Sequence, residues 1–325
     1  MAPKPPGWLA PPRRSRGGSR CACRLERCDS LKGPDLIYDA LEQVLQGLTL
    51  GSMYAMVAAG LALMLGVARL INFAHGEFFM LGAYAFWLGY SELGLPYPVA
   101  ALLAPAVMVV FGVAYQRTVI RAILPRSWHV QLIATLATSI VLTNLAIIVL
   151  GTQPKEVPTA LSSRILDVGG FRMAWQRLLV LVSSLIIFWG LHRFVARTRT
   201  GRAMRAMSQN REACAVVGVD VQRVTMVTFA LSAALAAAAA ALVSPLFNIF
   251  PDMGTTLTLK AFAAVVAGGF GYVNGAIAAS FLIGLTEALA GSYVSYAYKD
   301  AIAFLIMIAV LLWRPQGLFG RRIGI

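Results

Sequence analysis

Apolar residues run through this chain in long blocks separated by short polar punctuation, without the alternation of a half-buried strand. The blocks fall at about residues 41–66, 71–90, 97–116, 130–150, 175–195, 222–245, 257–270, 275–294 and 299–313. Roughly 20 consecutive apolar residues cross the hydrocarbon core as a helix. In lipid a spanning segment must satisfy its own backbone, which a helix does and an open strand does not. The pattern therefore predicts an all-α, polytopic membrane protein with about 8–10 transmembrane helices. Residues 1–34 depart from it: they are rich in Pro, Gly and Arg, show no apolar period, and are expected to be a disordered extension. They also lack the apolar core of a signal peptide, so insertion falls to the first span.

Finer patterning says how the helices pack. Gly47, Gly51, Ala55 and Ala59 recur at every fourth position in the first block, and Ala276, Ser280, Gly284 and Ala288 do so in the eighth. Such stripes let helix backbones approach closely where lipid gives no hydrophobic drive for association. The run Ala236–Ala241 is expected to do the same for the sixth. Pro105 should kink the third. Two glycine-interrupted segments, Arg69 to Glu77 and Ala267 to Gly275, lie in corresponding parts of the two halves. Paired interruptions point to an inverted repeat with a translocation path between the halves.

Composition agrees: the hydrophobic fraction is 58% and the mean hydropathy +0.72. The net charge of +14 is placed as well as large. Apart from eight basic residues before Asp35, clusters fall at Arg117, Arg121 and Arg126, at Arg193–Arg211, and at Arg314, Arg321 and Arg322. Basic residues beside helix ends mark the cytoplasmic side, which puts the start of the first span outside and the C-terminus inside. The basic tail contradicts that orientation: either the assigned start is too early, the reading we favour, or the chain has one further crossing or half-helix. Nucleic-acid binding is not expected, because the charges interrupt membrane blocks and lack interleaved aromatics. Cys21, Cys23 and Cys28 crowd the tail and Cys214 stands alone, so no disulfide framework or metal site is expected.

No nucleotide-binding loop of the Gly-x4-Gly-Lys-Ser/Thr kind is present, no nucleophile elbow, and the three histidines, His75, His129 and His192, have no metal spacing. Catalytic chemistry is therefore not expected. Polar groups inside the apolar blocks are costly and draw attention instead. Asn72, His75 and Glu77 form one group, which lines or gates a solute path or else caps a broken helix. Asn274 sits in the second interrupted segment. Glu287 could pair with Lys260, and Asn144 and the Lys299-Asp300 pair are further examples.

The longest polar interruption is residues 197–220. Thr200 can cap a helix there, with Arg202, Arg205 and Gln209 on one face. After Asn210 a second short helix is expected, with Glu212 near its start and an apolar stripe of Ala213, Val216 and Val217, ending at Gly218 in a left-handed cap. On spacing alone, docking into a groove of another protein and lying on anionic lipid are both open.

Glu212-Ala213 followed by Gly218 resembles the coupling-loop motif of ABC importer permeases, with Cys214 where a second Ala is usual. The segments around Gly47–Ala55, Ile71–Glu77, Gly201–Arg205, Tyr298–Asp300 and Arg314–Gly317 resemble more specifically the LivH-type permeases of branched-chain amino acid importers. The likeness covers about residues 36–320, and it implies one permease domain over residues 35–320. It implies a multi-pass, non-catalytic subunit of the bacterial inner membrane, without cofactor or metal. Its implied partners are a second related permease, two cytoplasmic ATPase subunits, an extracytoplasmic solute-binding protein and membrane lipid. Arg202, Arg205, Glu212, Ala213, Val216, Val217 and Gly218 would couple to the ATPases. Asn72, His75, Glu77 and Asn274 would line or gate the path. The loop from Gly151 to Trp175 would face the binding protein. Gly271–Gly275 departs from the family pattern, so urea or short amides remain open as solutes. An ion-coupled secondary transporter is the alternative outside the family.

Overall fold

The computed structural model describes residues 33–168, 171–293 and 295–319. The basic tail and its three cysteines lie outside these, as does most of the proposed extension. The helices are α1 (Gly33–Ala68), α2 (His75–Trp87), α3 (Tyr97–Tyr115), α4 (Arg121–Ile123), α5 (Trp128–Leu150), α6 (Ala160–Ser163), α7 (Trp175–Arg197), α8 (Arg199–Gln209), α9 (Arg211–Val216), α10 (Val221–Val243), α11 (Met253–Gly268), α12 (Val273–Tyr293) and α13 (Lys299–Trp313). Single π-helical turns extend α2 and α3, the latter staying helical through Pro105. The loop from Gly151 to Trp175 contains a small antiparallel hairpin, β1 (Ile165–Val168) with β2 (Phe171–Ala174).

Among the described residues, seven helices are long and apolar enough to cross a membrane, α1, α10 and α12 being three of them. The blocks at 71–90 and 257–270 are different. They form α2, of 13 residues, and α11, of 16, both largely buried. A helix surrounded by protein is apolar all round, so in sequence it looks like a full span.

The stripes pack closely, as their spacing foretold, and they do so against each other. A Cβ built on Gly51 would lie 2.9 Å from Phe281 Cα, and one on Gly284 would lie 2.5 Å from Gly51 Cα. Any side chain there would force α1 and α12 apart. The alanine-rich face of α10 receives α2 and α3 in the same manner. α1 and α10 pack together at the centre and run in opposite directions across the layer. Around them the pairings are exchanged: α1 packs on α11 and α12, while α10 packs on α2 and α3. α5 covers α2 and α13 covers α11. This is the inverted repeat.

Candidate functional site

The return segments 69–74 and 244–252 decide the centre of the molecule. His75 Nε2 lies 3.0 Å from the carbonyl of Val57, which is about 16 Å before the end of α1 at 1.5 Å per residue. Six near-extended residues reach about 20 Å. The chain thus turns at Arg69 (φ 53°, the only described non-glycine residue with positive φ) and re-enters the layer before α2 begins. After α10 the chain re-enters likewise, and the starts of α2 and α11 meet. Gly76 rests against the Gly254 carbonyl and the Thr258 hydroxyl, and a Cβ on Gly254 would lie 2.6 Å from Glu77 Oε2. Glycine alone fits this crossing.

Asn72, His75 and Glu77 are all fully buried here. Asn72 Oδ1 accepts from the Ala74 amide (3.2 Å) and from the Tyr115 hydroxyl of α3 (3.3 Å). Glu77 Oε1 accepts from Ser139 Oγ of α5 (2.9 Å) and Thr255 Oγ1 of α11 (3.5 Å). Its carboxylate sits where two helix N-termini converge, and the dipoles of both favour negative charge. The group holds the broken helices together. Asn274 does not join it: it is exposed at the start of α12, beside the inner-face turn where Gly271 packs on Gly66. The segment structurally equivalent to 69–74 is 244–252, not 267–275, because 267–275 joins two helices at one face without re-entering.

On the outer side of the crossing lies a cavity of about 370 Å³. Phe79 and Leu257, from the two short helices, line it together with Leu50, Met53, Met253 and Phe250. One wall is charged. Lys260 Nζ donates to Glu287 Oε1 (2.7 Å), Asp300 Oδ1 (2.6 Å) and Tyr54 Oη (3.1 Å), and Tyr54 Oη donates to Glu287 Oε2 (3.0 Å). The Lys260–Glu287 pairing read from sequence is therefore present, and Asp300 is a third member that residue spacing gave no means of finding.

On the inner face, residues 197–220 form α8 and α9. The helix cap is Thr198, whose hydroxyl accepts from the Gly201 amide at 2.9 Å; Thr200, the expected cap, lies inside the helix, two residues past Thr198. Asn210 caps α9 and Asp220 caps α10. Met204, Met207 and Cys214 are buried against Val67 and Val224, so the loop is seated on α1 and α10. Arg202, Arg205, Glu212 and Ala213 face outward with Val216 and Val217, 87% and 77% exposed, and Gly218 has φ +85°. Two hydrogen bonds tie the loop to the turn at Arg69: Arg69 Nη2 to the Gln209 carbonyl (3.2 Å) and Arg211 Nη1 to the Ala68 carbonyl (3.4 Å).

The sequence profile described as "Branched-chain amino acid transport system / permease component" matches residues 43–311. The chain belongs to this family. It is 33% identical over 298 residues to the high-affinity branched-chain amino acid transport system permease protein BraD of Pseudomonas aeruginosa, covering 88% of this chain and 97% of that one. To the LivH permease protein of Escherichia coli K12 it is 30% identical, covering 86% and 96%. To the LivM permease protein of the same organism it is 26% identical, covering 83% and 68%. The molecule is thus a multi-pass permease of the inner membrane.

Proposed function

We propose that this permease is the membrane subunit of an ATP-driven importer of branched-chain amino acids. It works beside a second, related permease, with two ATPase subunits docked on the coupling loops of the pair, of which α8–α9 is this chain's, and a solute-binding protein on the outer loop. It has no catalytic role of its own. The relatives' substrates and the apolar lining of the outer cavity support the solute. The observation that carries the mechanism is the tether at Arg69. One turn of chain connects the seated loop to the re-entrant segment, so displacement of α8–α9 pulls on Asn72, His75 and Glu77. On the other side, Lys155 of the outer loop exchanges two backbone hydrogen bonds with Ile249 (2.8 and 2.9 Å), joining that loop to the segment that leads into α11. Both ends of the gate are thereby linked to a docking surface.

Exposed valines at the tip of a short helix suit burial in a protein groove better than contact with headgroups. In the reconstituted complex, Val216→Asp with Val217→Asp should abolish leucine uptake and solute-stimulated ATP hydrolysis, while amounts in the membrane stay normal. Unchanged uptake would overturn ATPase docking at α9. An ion-coupled carrier would also show unchanged uptake, and would lose it when the ion gradient is collapsed at constant ATP.

A further inference from the structure

The outer cavity has a charge arrangement that the gate does not use. Its lining includes Lys260, Lys299, Glu287 and Asp300, two of each sign. Lys260 and Glu287 are saturated: the ammonium spends its three protons on Glu287, Asp300 and Tyr54, and both Glu287 oxygens accept. Their side chains are only 7% and 4% exposed. What remains open to an occupant is Asp300, whose side chain is 53% exposed and uses one oxygen, and Lys299 beside it, whose ammonium rests 3.9 Å from the Tyr296 ring centroid. Among the described residues, a carboxylate oxygen of Asp300 and the Lys299 ammonium, which has no carboxylate partner, stand together at the mouth, with an apolar floor of Phe79, Met253 and Leu257 below. Ligand cavities of this kind start at about 300 Å³, so 370 Å³ holds a single small solute.

We propose that this cavity is an outward-facing subsite for a zwitterionic α-amino acid with a compact apolar side chain. The solute's ammonium group pairs with Asp300, its carboxylate with Lys299, and its side chain rests on the two short helices above their crossing. The proposal rests on the import reading and adds the place within this chain where the solute is held before the gate opens. Lys260, by holding Asp300 in place, is a positioning residue.

The test uses the complete complex in proteoliposomes, with Cys21, Cys23, Cys28 and Cys214 replaced by alanine and Ser292→Cys introduced in the cavity wall. The rate of Ser292→Cys labelling by a small, membrane-impermeant thiol reagent reports occupancy. Leucine should slow labelling several-fold. 4-Methylpentanoate, which lacks the ammonium group, should not, and Asp300→Asn should remove the leucine effect while Asp300→Glu keeps part of it. Equal protection by 4-methylpentanoate overturns the charge pairing without any substitution at Asp300, as does leucine protection that survives Asp300→Asn. No protection in proteoliposomes that accumulate leucine overturns the subsite and leaves the import reading standing. Protection in proteoliposomes that never accumulate leucine supports the subsite and counts against import.

Discussion

Replacing Lys260 with methionine should be among the most damaging single changes in the membrane region, and a second change should repair it. Lys260 and Glu287 are nearly inaccessible and 2.7 Å apart. At an effective dielectric near 20, their attraction is about 6 kcal/mol. Removing two ions from water costs several kcal/mol each, so the pair is worth little relative to a well-packed apolar pair. Breaking it is another matter. Lys260→Met leaves Glu287 buried with only the Tyr54 hydroxyl, at an expected cost of about 3–5 kcal/mol. Glu287→Leu is milder, about 1–3 kcal/mol, because Lys260 keeps Asp300; that contact is half exposed and contributes at most about 1 kcal/mol. The double variant should return to within about 1 kcal/mol of the parent, a coupling of several kcal/mol. Unfolding in mixed micelles, monitored by helical circular dichroism, gives the four free energies. A double variant whose loss equals the sum of the two singles would refute the assignment of this pair as mutually compensating buried charges.

Other consequences are as direct. Glu77→Gln keeps the hydrogen-bond geometry with Ser139 and Thr255 but removes the charge facing two helix N-termini, and should lower stability by about 1–2 kcal/mol in the same assay; a neutral or stabilising result would contradict the dipole argument. Gly284→Val places methyl groups into the backbone of α1 and should cost at least 1–3 kcal/mol, read as loss of folded protein after detergent extraction. Arg69→Ala severs one of the two ties to the loop, so ATP hydrolysis should continue with a reduced number of leucine molecules moved per ATP; an unchanged ratio would show that the tie carries no coupling.

Much of this was legible in the residues, and the exceptions share a cause. The stripes at Gly47–Ala59 and Ala276–Ala288 announced close helix packing, because lipid leaves backbone proximity as the main route to tight packing, but not that α1 and α12 would be each other's partners. The two short helices of the loop, with Gly218 as a left-handed cap, followed from spacing, whereas the seating of Met204, Met207 and Cys214 on Val67 and Val224 did not. Burial, by contrast, hides the distinction between a spanning helix and a short one surrounded by protein, so α2 and α11 looked like ordinary spans and their meeting at Gly76 and Gly254 was invisible. Symmetry of motif also misled: Asn274 matches Asn72 as an asparagine beside glycines, yet the true counterpart of the 69–74 return carries no such signature. Thr198 and Thr200 are both plausible caps, and the elbow between α7 and α8 chose the first. Asp300 joins Lys260 only through the packing of α13 on α11, which no local pattern encodes.

The central claim is that this permease moves branched-chain amino acids under control of ATPases docked at α8–α9. Its most direct test is ATP hydrolysis by the reconstituted complex with the solute-binding protein loaded in turn with leucine, urea or a short amide. Leucine should stimulate hydrolysis and accumulate against its gradient, with no effect of an uncoupler at constant ATP. Leucine accumulation that an uncoupler abolishes, while hydrolysis stays at its basal rate, would contradict the account.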